Sequence, residues 1–125
     1  MTRTDLIQRI SQAIARREGY YVPGSRAARN NNPGNLRRWG NVAVDDGFAH
    51  FPSVDAGWEA LRAQIAKNVR RGLTLLEFFA GKPGVYYGYA PSTDGNDPED
   101  YAAFVAKLVG VPVSAPLDTI PTEEQ

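Results

Sequence analysis

Glu18 is the acid in this sequence with the least local explanation. Leu6, Ile7, Ile10, Ala13 and Ile14 recur at helical spacing, and Glu18 lies four residues after Ile14 and eleven after Ile7. At about 100° per residue it falls within roughly 40° of both, so the spacing predicts a carboxyl group on the apolar side of a helix end. Burial there penalises the ionised form, and a carboxyl group kept protonated can donate a proton to a leaving oxygen. The competing reading is an ion pair with Arg16, Arg17 or a more distant arginine.

Beyond Glu18 the chain runs through Gly-Tyr-Tyr into a segment dense in amides, Asn30, Asn31, Asn32 and Asn35, interrupted by Pro33 and Gly34. Uncharged donors and acceptors of this kind suit sugar hydroxyls and acetamido groups. They also make turns, which is the stronger reading for Asn30 and Asn31. A third group comprises Tyr86, Tyr87, Tyr89 and Tyr101, with Asn96 between them. Aromatic faces and phenolic hydroxyls line carbohydrate and peptide grooves, although Tyr101 also fits the apolar stripe of a helix. Glycoside hydrolysis usually employs two carboxylates, and Asp45, Asp46 and His50 are the candidates for a second group. Asp46 is explained by a hairpin turn, Glu77 by a helix cap, and one histidine gives neither a metal site nor a convincing nucleophile-base pair. No metal site and no cofactor are expected.

The elements that must carry these residues follow from periodicity and punctuation. Thr4 and Asp5 read as an N-cap with a first-turn acid for the first helix, and Gly19 reads as its stop. From Leu36 to Phe51 the signals are those of strands, with Asp46-Gly47 as a two-residue hairpin turn in a hairpin or three-stranded ribbon. Ser53 caps a second helix with Val54, Trp58, Leu61, Ile65 and Val69 on its buried face, ending at Arg70-Arg71-Gly72. Thr74 and Glu77 have capping-box spacing for a short third helix through Phe79. Asp97 and Pro98 open a fourth, with Tyr101, Phe104, Val105, Leu108 and Val109 as its stripe and Gly110 and Pro112 as its stop. The expected class is α+β, mainly α, with a small β-hairpin and four to five helices. A domain over 1–112 is expected, followed by a flexible acidic tail or linker over 113–125.

Length and composition set the outer bounds. The sequence has 125 residues, 42% of them apolar, which suits one domain with a real core. Without cysteine, disulfides, thiolate metal sites and a cysteine nucleophile are excluded. The 14 basic residues balance 14 acidic ones, which argues against nucleic acid as the main ligand. Asp118, Glu123 and Glu124 cluster late, leaving 14 basic against 11 acidic residues upstream, a slightly basic body compatible with an anionic polymer such as a cell wall. The start, Met1-Thr-Arg-Thr-Asp, has no apolar h-region, so no signal peptide is expected. No run approaches the roughly 20 apolar residues of a membrane span.

At Glu18-Gly-Tyr-Tyr, Asn32-Pro-Gly-Asn-Leu-Arg37, Gly47-Phe-Ala-His-Phe51 and Tyr89-Ala-Pro91, with Asn96, Tyr101 and Gly110, the chain resembles a family. It is similar to the small phage and prophage virion-associated peptidoglycan hydrolases, themselves similar to soluble lytic transglycosylases and goose-type lysozymes. The similarity extends to about Val111. The resemblance implies a lysozyme-like fold in which Glu18 is the general acid and base, and Asn32, Asn35, Tyr89, Asn96 and Tyr101 line the substrate groove. It implies cleavage of the MurNAc-GlcNAc β-1,4 bond, with the substrate's own acetamido or hydroxyl group replacing a second carboxylate. Bacterial peptidoglycan is the implied partner, with other virion or secretion-apparatus proteins as further candidates, and delivery to the periplasm or cell wall by another system. The chain lacks the Glu-Ser start and Gly-Leu-Met-Gln segment of soluble transglycosylases, which leaves the product open between anhydro and hydrolytic. A non-catalytic peptidoglycan-binding or virion structural module is the alternative, and a peptide or amide hydrolase a weaker one.

Overall fold

A computed structural model describes residues 1–122. The fold is α+β and mainly helical: among the described residues there are five α-helices and one two-stranded antiparallel sheet. In chain order these are α1 (Arg3–Arg17), α2 (Arg26–Arg29), β1 (Val44–Asp45), β2 (Phe48–Ala49), α3 (Val54–Arg70), α4 (Leu75–Ala80) and α5 (Pro98–Val109). Short 3-10 turns lie at Ser92–Asp94, before α5, and at Leu117–Thr119, after it. No helix among the described residues is long and apolar enough to cross a membrane. The chain divides into two compact units, Ser11–Ile65 and Met1–Ile10 with Ala66–Gln125, and α1 and α3 contribute residues to both.

Within Ser11–Ile65, Ala13, Ile14 and Ala15 of α1 and Leu61 and Ile65 of α3 are buried. A second apolar cluster gathers Ala49, Phe51 and Ala60, with Leu36, Trp39, Val42 and Ala56 against it. The hairpin pairs Val44 with Ala49 and Asp45 with Phe48. Asp46 (φ 51°) and Gly47 (φ 83°) both occupy left-handed backbone, as a two-residue turn that follows strand twist requires. A third strand does not form. Leu36 makes one backbone bond to the hairpin, its carbonyl accepting from Ala49 N at 2.8 Å, and its remaining polar contacts there run through the Asn32 side chain. Ser53 Oγ caps α3 by accepting from Ala56 N at 3.1 Å. Val54, expected on the buried face, is 46% exposed, since it sits in the first turn before α3 reaches the core. At Gly57 the preceding loop lies directly against α3: a Cβ there would stand 1.8 Å from the Asn31 carbonyl oxygen.

In the other unit, α4 packs against α5. Thr74 and Glu77 form the expected reciprocal cap, Thr74 Oγ1 accepting from Glu77 N at 3.1 Å and Glu77 Oε1 from Thr74 N at 3.0 Å. Asp97 caps α5 with Pro98 at its first position, and Gly110 ends it in left-handed backbone. Leu108, placed on the stripe by spacing, is exposed; Tyr101, Ala102, Val105 and Val109 fill the inner face instead. Residues expected to begin a tail are in part packed. Leu117 is fully buried and its N–H donates to Leu73 O at 2.9 Å, while Val113 O accepts from Leu76 N at 3.3 Å. One leucine among prolines and small residues is too sparse a pattern to read as core. Glu123 and Glu124 of the expected acidic tail lie outside the described residues.

The first helix starts earlier than Thr4 suggested. Thr2 Oγ1 accepts from Asp5 N at 3.0 Å and Asp5 Oδ2 accepts from Thr2 N at 3.1 Å, so Thr2 is the cap. The backbone and then the side-chain bonds to Thr2 hold the Asp5 carboxyl below the usual carboxylate range. A carboxyl lowered in the folded state adds stability above its unfolded pKa and loses it as pH falls through the folded one. Asp5→Ala is therefore expected to be less stable than the wild type at neutral pH, with the gap narrowing in acid; a gap independent of pH in denaturant titrations would contradict this. Gly57→Ala is expected to lose about 1–3 kcal/mol, because backbone must move to admit the methyl group. A urea midpoint unchanged in that variant would show that α3 and the loop part without strain.

Candidate functional site

Glu18 is set by the way α1 ends. Gly19 N donates to Arg16 O at 3.2 Å and Tyr20 N to Ala15 O at 3.0 Å, with Gly19 at φ 78°. This pair of bonds is a Schellman closure, and it makes Glu18 the C-cap residue. Glu18 N still donates to Ile14 O at 2.9 Å, so the residue keeps the helical phase that the sequence implied. The Tyr20 ring then lies edge-on to Trp58 of α3 at 5.5 Å and to Tyr21 at 5.2 Å, anchoring the chain just beyond the acid. Glu18 is half-buried. An anionic side chain at a helix C-terminus opposes the helix dipole, where Arg16 and Arg17 complement it.

The asparagine segment divides by task. Ser25 Oγ caps α2 by accepting from Ala28 N at 3.1 Å, and α2 delivers the chain to Asn30. Asn30 is buried; its Oδ1 lies 2.9 Å from His50 Nδ1, and its carbonyl accepts from Phe51 N at 2.9 Å. Asn31, at φ 51°, donates Nδ2–H to Phe51 O at 3.1 Å. Asn32 is fully buried, and its amide is wholly committed to backbone. Nδ2 donates to Leu36 O and Ala49 O, both at 2.9 Å, and Oδ1 accepts from Leu36 N at 2.9 Å. These three asparagines tie the loop to the hairpin. Asn35 differs: also at φ 51°, it donates Nδ2–H to Glu18 Oε1 at 3.3 Å. Its Oδ1 is buried and has no hydrogen-bond partner.

Of the expected groove residues, the fold therefore brings Asn35 to Glu18, while Asn32 is occupied in holding the loop. Tyr89 and Tyr101 belong to the other compact unit and meet each other at 6.4 Å between ring centres. Tyr101 is buried and stacks on Phe79 of α4 at 4.2 Å, and Tyr89 is edge-on to the same ring at 5.9 Å. Tyr89 N donates to Phe78 O at 2.8 Å and Ala90 N to Phe79 O at 3.0 Å, which docks Tyr-Ala-Pro onto the end of α4. Asn96 is exposed and donates Nδ2–H to Pro91 O at 3.4 Å. Tyr87 is 83% exposed.

The other acids near the hairpin face solvent. Asp46 lies 3.6 Å from Arg26, and Asp45 sits exposed in β1. Arg26 also lies over the Phe48 ring at 4.3 Å and Arg37 at 4.7 Å, contacts that sequence spacing did not indicate. Among the described residues, no three His, Asp or Glu side chains gather into a group that could hold a metal ion. Comparison with protein families, with curated proteins and with solved structures gives no match.

Removing the Asn32 amide leaves the Leu36 N–H and the Ala49 carbonyl without that partner, while the Leu36 carbonyl still accepts from Ala49 N. At about 1–3 kcal/mol for each group that stays dry, Asn32→Ala is expected to be destabilised by about 3 kcal/mol or more. Hydrogen exchange of the Leu36 amide should accelerate in step. Wild-type stability in that variant would mean that water replaces the clamp.

Proposed function

We propose that this chain cleaves peptidoglycan glycan strands at the MurNAc-GlcNAc β-1,4 bond, with Glu18 as its single general acid and base. The observation that carries the reading is a half-buried carboxyl group at a helix C-cap, set against the helix dipole and held by a side-chain amide. The family resemblance of the surrounding motifs supplies the substrate. Neutral Glu18 donates its proton to the glycosidic oxygen as the bond from that oxygen to the muramoyl C1 breaks, and positive charge develops at C1. The carboxylate left behind then takes a proton from the attacking hydroxyl group. If that hydroxyl is the C6 hydroxyl of the same sugar, the product is the 1,6-anhydro ring; if it is water, the product is a reducing end. Either route returns Glu18 to its acid form. A second carboxylate is not required, which accords with Asp45 and Asp46 being exposed on the hairpin.

The chain acts at the cell wall as a virion component or as a domain delivered by another system, with no nucleic acid partner. Glu18→Gln preserves size and hydrogen bonding but removes the proton, and general acid-base groups contribute typically 10²–10⁴-fold to rate. Release of soluble muropeptides from purified peptidoglycan, followed by mass spectrometry, is expected to fall by about that factor. The mass difference of one water distinguishes anhydro from hydrolysed products. Full activity in Glu18→Gln would remove Glu18 from the mechanism. Wild-type protein that sediments with insoluble peptidoglycan yet releases nothing would instead identify a non-catalytic wall-binding module.

A further inference from the structure

We infer that Asn35 is a positioning residue for Glu18 and not a contact for the glycan; this rests on the proposed role of Glu18. The Asn35 backbone is fixed before any ligand arrives. Its N–H donates to Asn32 O at 2.9 Å, and the next residue, Leu36, is held by the Asn32 side chain through both its N–H and its carbonyl. Its φ of 51° is a left-handed conformation that asparagine tolerates better than most residues. The amide can therefore turn only about its own side-chain bonds.

The polarity of that amide carries the argument. As oriented, Nδ2–H points at Glu18 Oε1, and Oδ1 is enclosed in protein with no donor. Turning the amide over would set Oδ1 against a carboxylate oxygen and enclose the N–H donors instead. A side chain that leaves one end unsatisfied to offer the other to an acid is placed for that acid. A glycan hydroxyl cannot reach an oxygen with no exposed surface, and the nitrogen is already directed at Glu18. The 3.3 Å separation is long for a charge-assisted bond, and the bond tightens as negative charge develops on Glu18. Glu18 becomes an anion when it gives its proton to the glycosidic oxygen. The Asn35 donor therefore acts more strongly on the transition state than on bound substrate, which places its effect in kcat and not in KM.

The test uses two variants that retain the backbone. Asn35→Gly accepts left-handed φ freely, and Asn35→Asp keeps the shape while replacing the donor with an acceptor. Both are expected to lower kcat roughly ten- to hundredfold on soluble glycan strands, with KM within about twofold of wild type. Asn35→Gly should also unfold within a few degrees of the wild type, separating the effect from lost stability. A raised KM with unchanged kcat would make Asn35 a ligand contact, and unchanged kinetics would remove it altogether. A second readout needs no activity: the Asn35 side-chain amide protons should resonate downfield in the wild type relative to Glu18→Ala. Identical shifts in the two proteins would overturn the pairing. If the wild type cleaves nothing, the glycan-cleaving reading fails, while the amide shift still decides whether Asn35 holds Glu18.

Discussion

The buried side chain of Asn32 is the interaction on which the candidate site depends. One amide satisfies two carbonyls and one N–H belonging to Leu36 and Ala49, residues that no regular ladder joins at that point. Buried backbone groups demand partners, and an irregular loop has few to offer, so a side chain with two donors and an acceptor substitutes for a missing strand. Asn30 and Asn31 extend the same stitching to His50 and Phe51. The carbonyl of Asn31 rests where Gly57 leaves room on α3. The loop is consequently rigid without secondary structure, and Asn35 inherits that rigidity where it meets Glu18.

Candidate chemistry and aromatic packing fall in different compact units. In Ser11–Ile65, a helix cap, an amide loop and a hairpin hold one carboxyl group. In the other unit, Phe78, Phe79, Tyr89 and Tyr101 form a contiguous set of ring contacts that fastens the Tyr-Ala-Pro segment to α4 and α5. Tilted, stacked and edge-on pairs of this kind add modestly to the apolar area they bury. The tyrosines most suggestive of a sugar platform in the sequence are thus those most engaged in packing, apart from the exposed Tyr87.

Features whose cause is local were legible in the sequence. The Thr74-Glu77 and Asp97-Pro98 starts, the Asp46-Gly47 turn and the Gly19 and Gly110 stops each depend on a few adjacent residues, and helical phase alone placed Glu18 beside the apolar face. The division of labour among the asparagines was not legible. Asn32 and Asn35 have the same side chain within one short motif, and only the fold determines that one meets backbone and the other a carboxylate. Leu117 was hidden because a single buried leucine carries no periodicity. Val54 and Leu108 show the converse: spacing assigns both to a buried face, yet Val54 sits exposed in the first turn of α3, and the inner face of α5 runs through Val105 and Val109, leaving Leu108 outside it. Gly57 gave no sign, since an isolated glycine in a helix does not reveal what approaches it.

The division of the chain also orders its folding in time. Ser11–Ile65 is continuous in sequence, whereas the other unit joins Met1–Ile10 to residues beyond Ala66, including a bond from Thr122 N to Met1 O at 3.2 Å. During synthesis, the segments of the first are all present while most of the second has yet to be made, and contacts of long sequence separation close late. The asparagine clamp can therefore assemble around Glu18 early, leaving the first turns of α1 to wait for the residues that will cover Leu6 and Ile10. For that interval one helix belongs half to a unit whose segments are complete and half to one still being made, with Leu6 and Ile10 not yet covered.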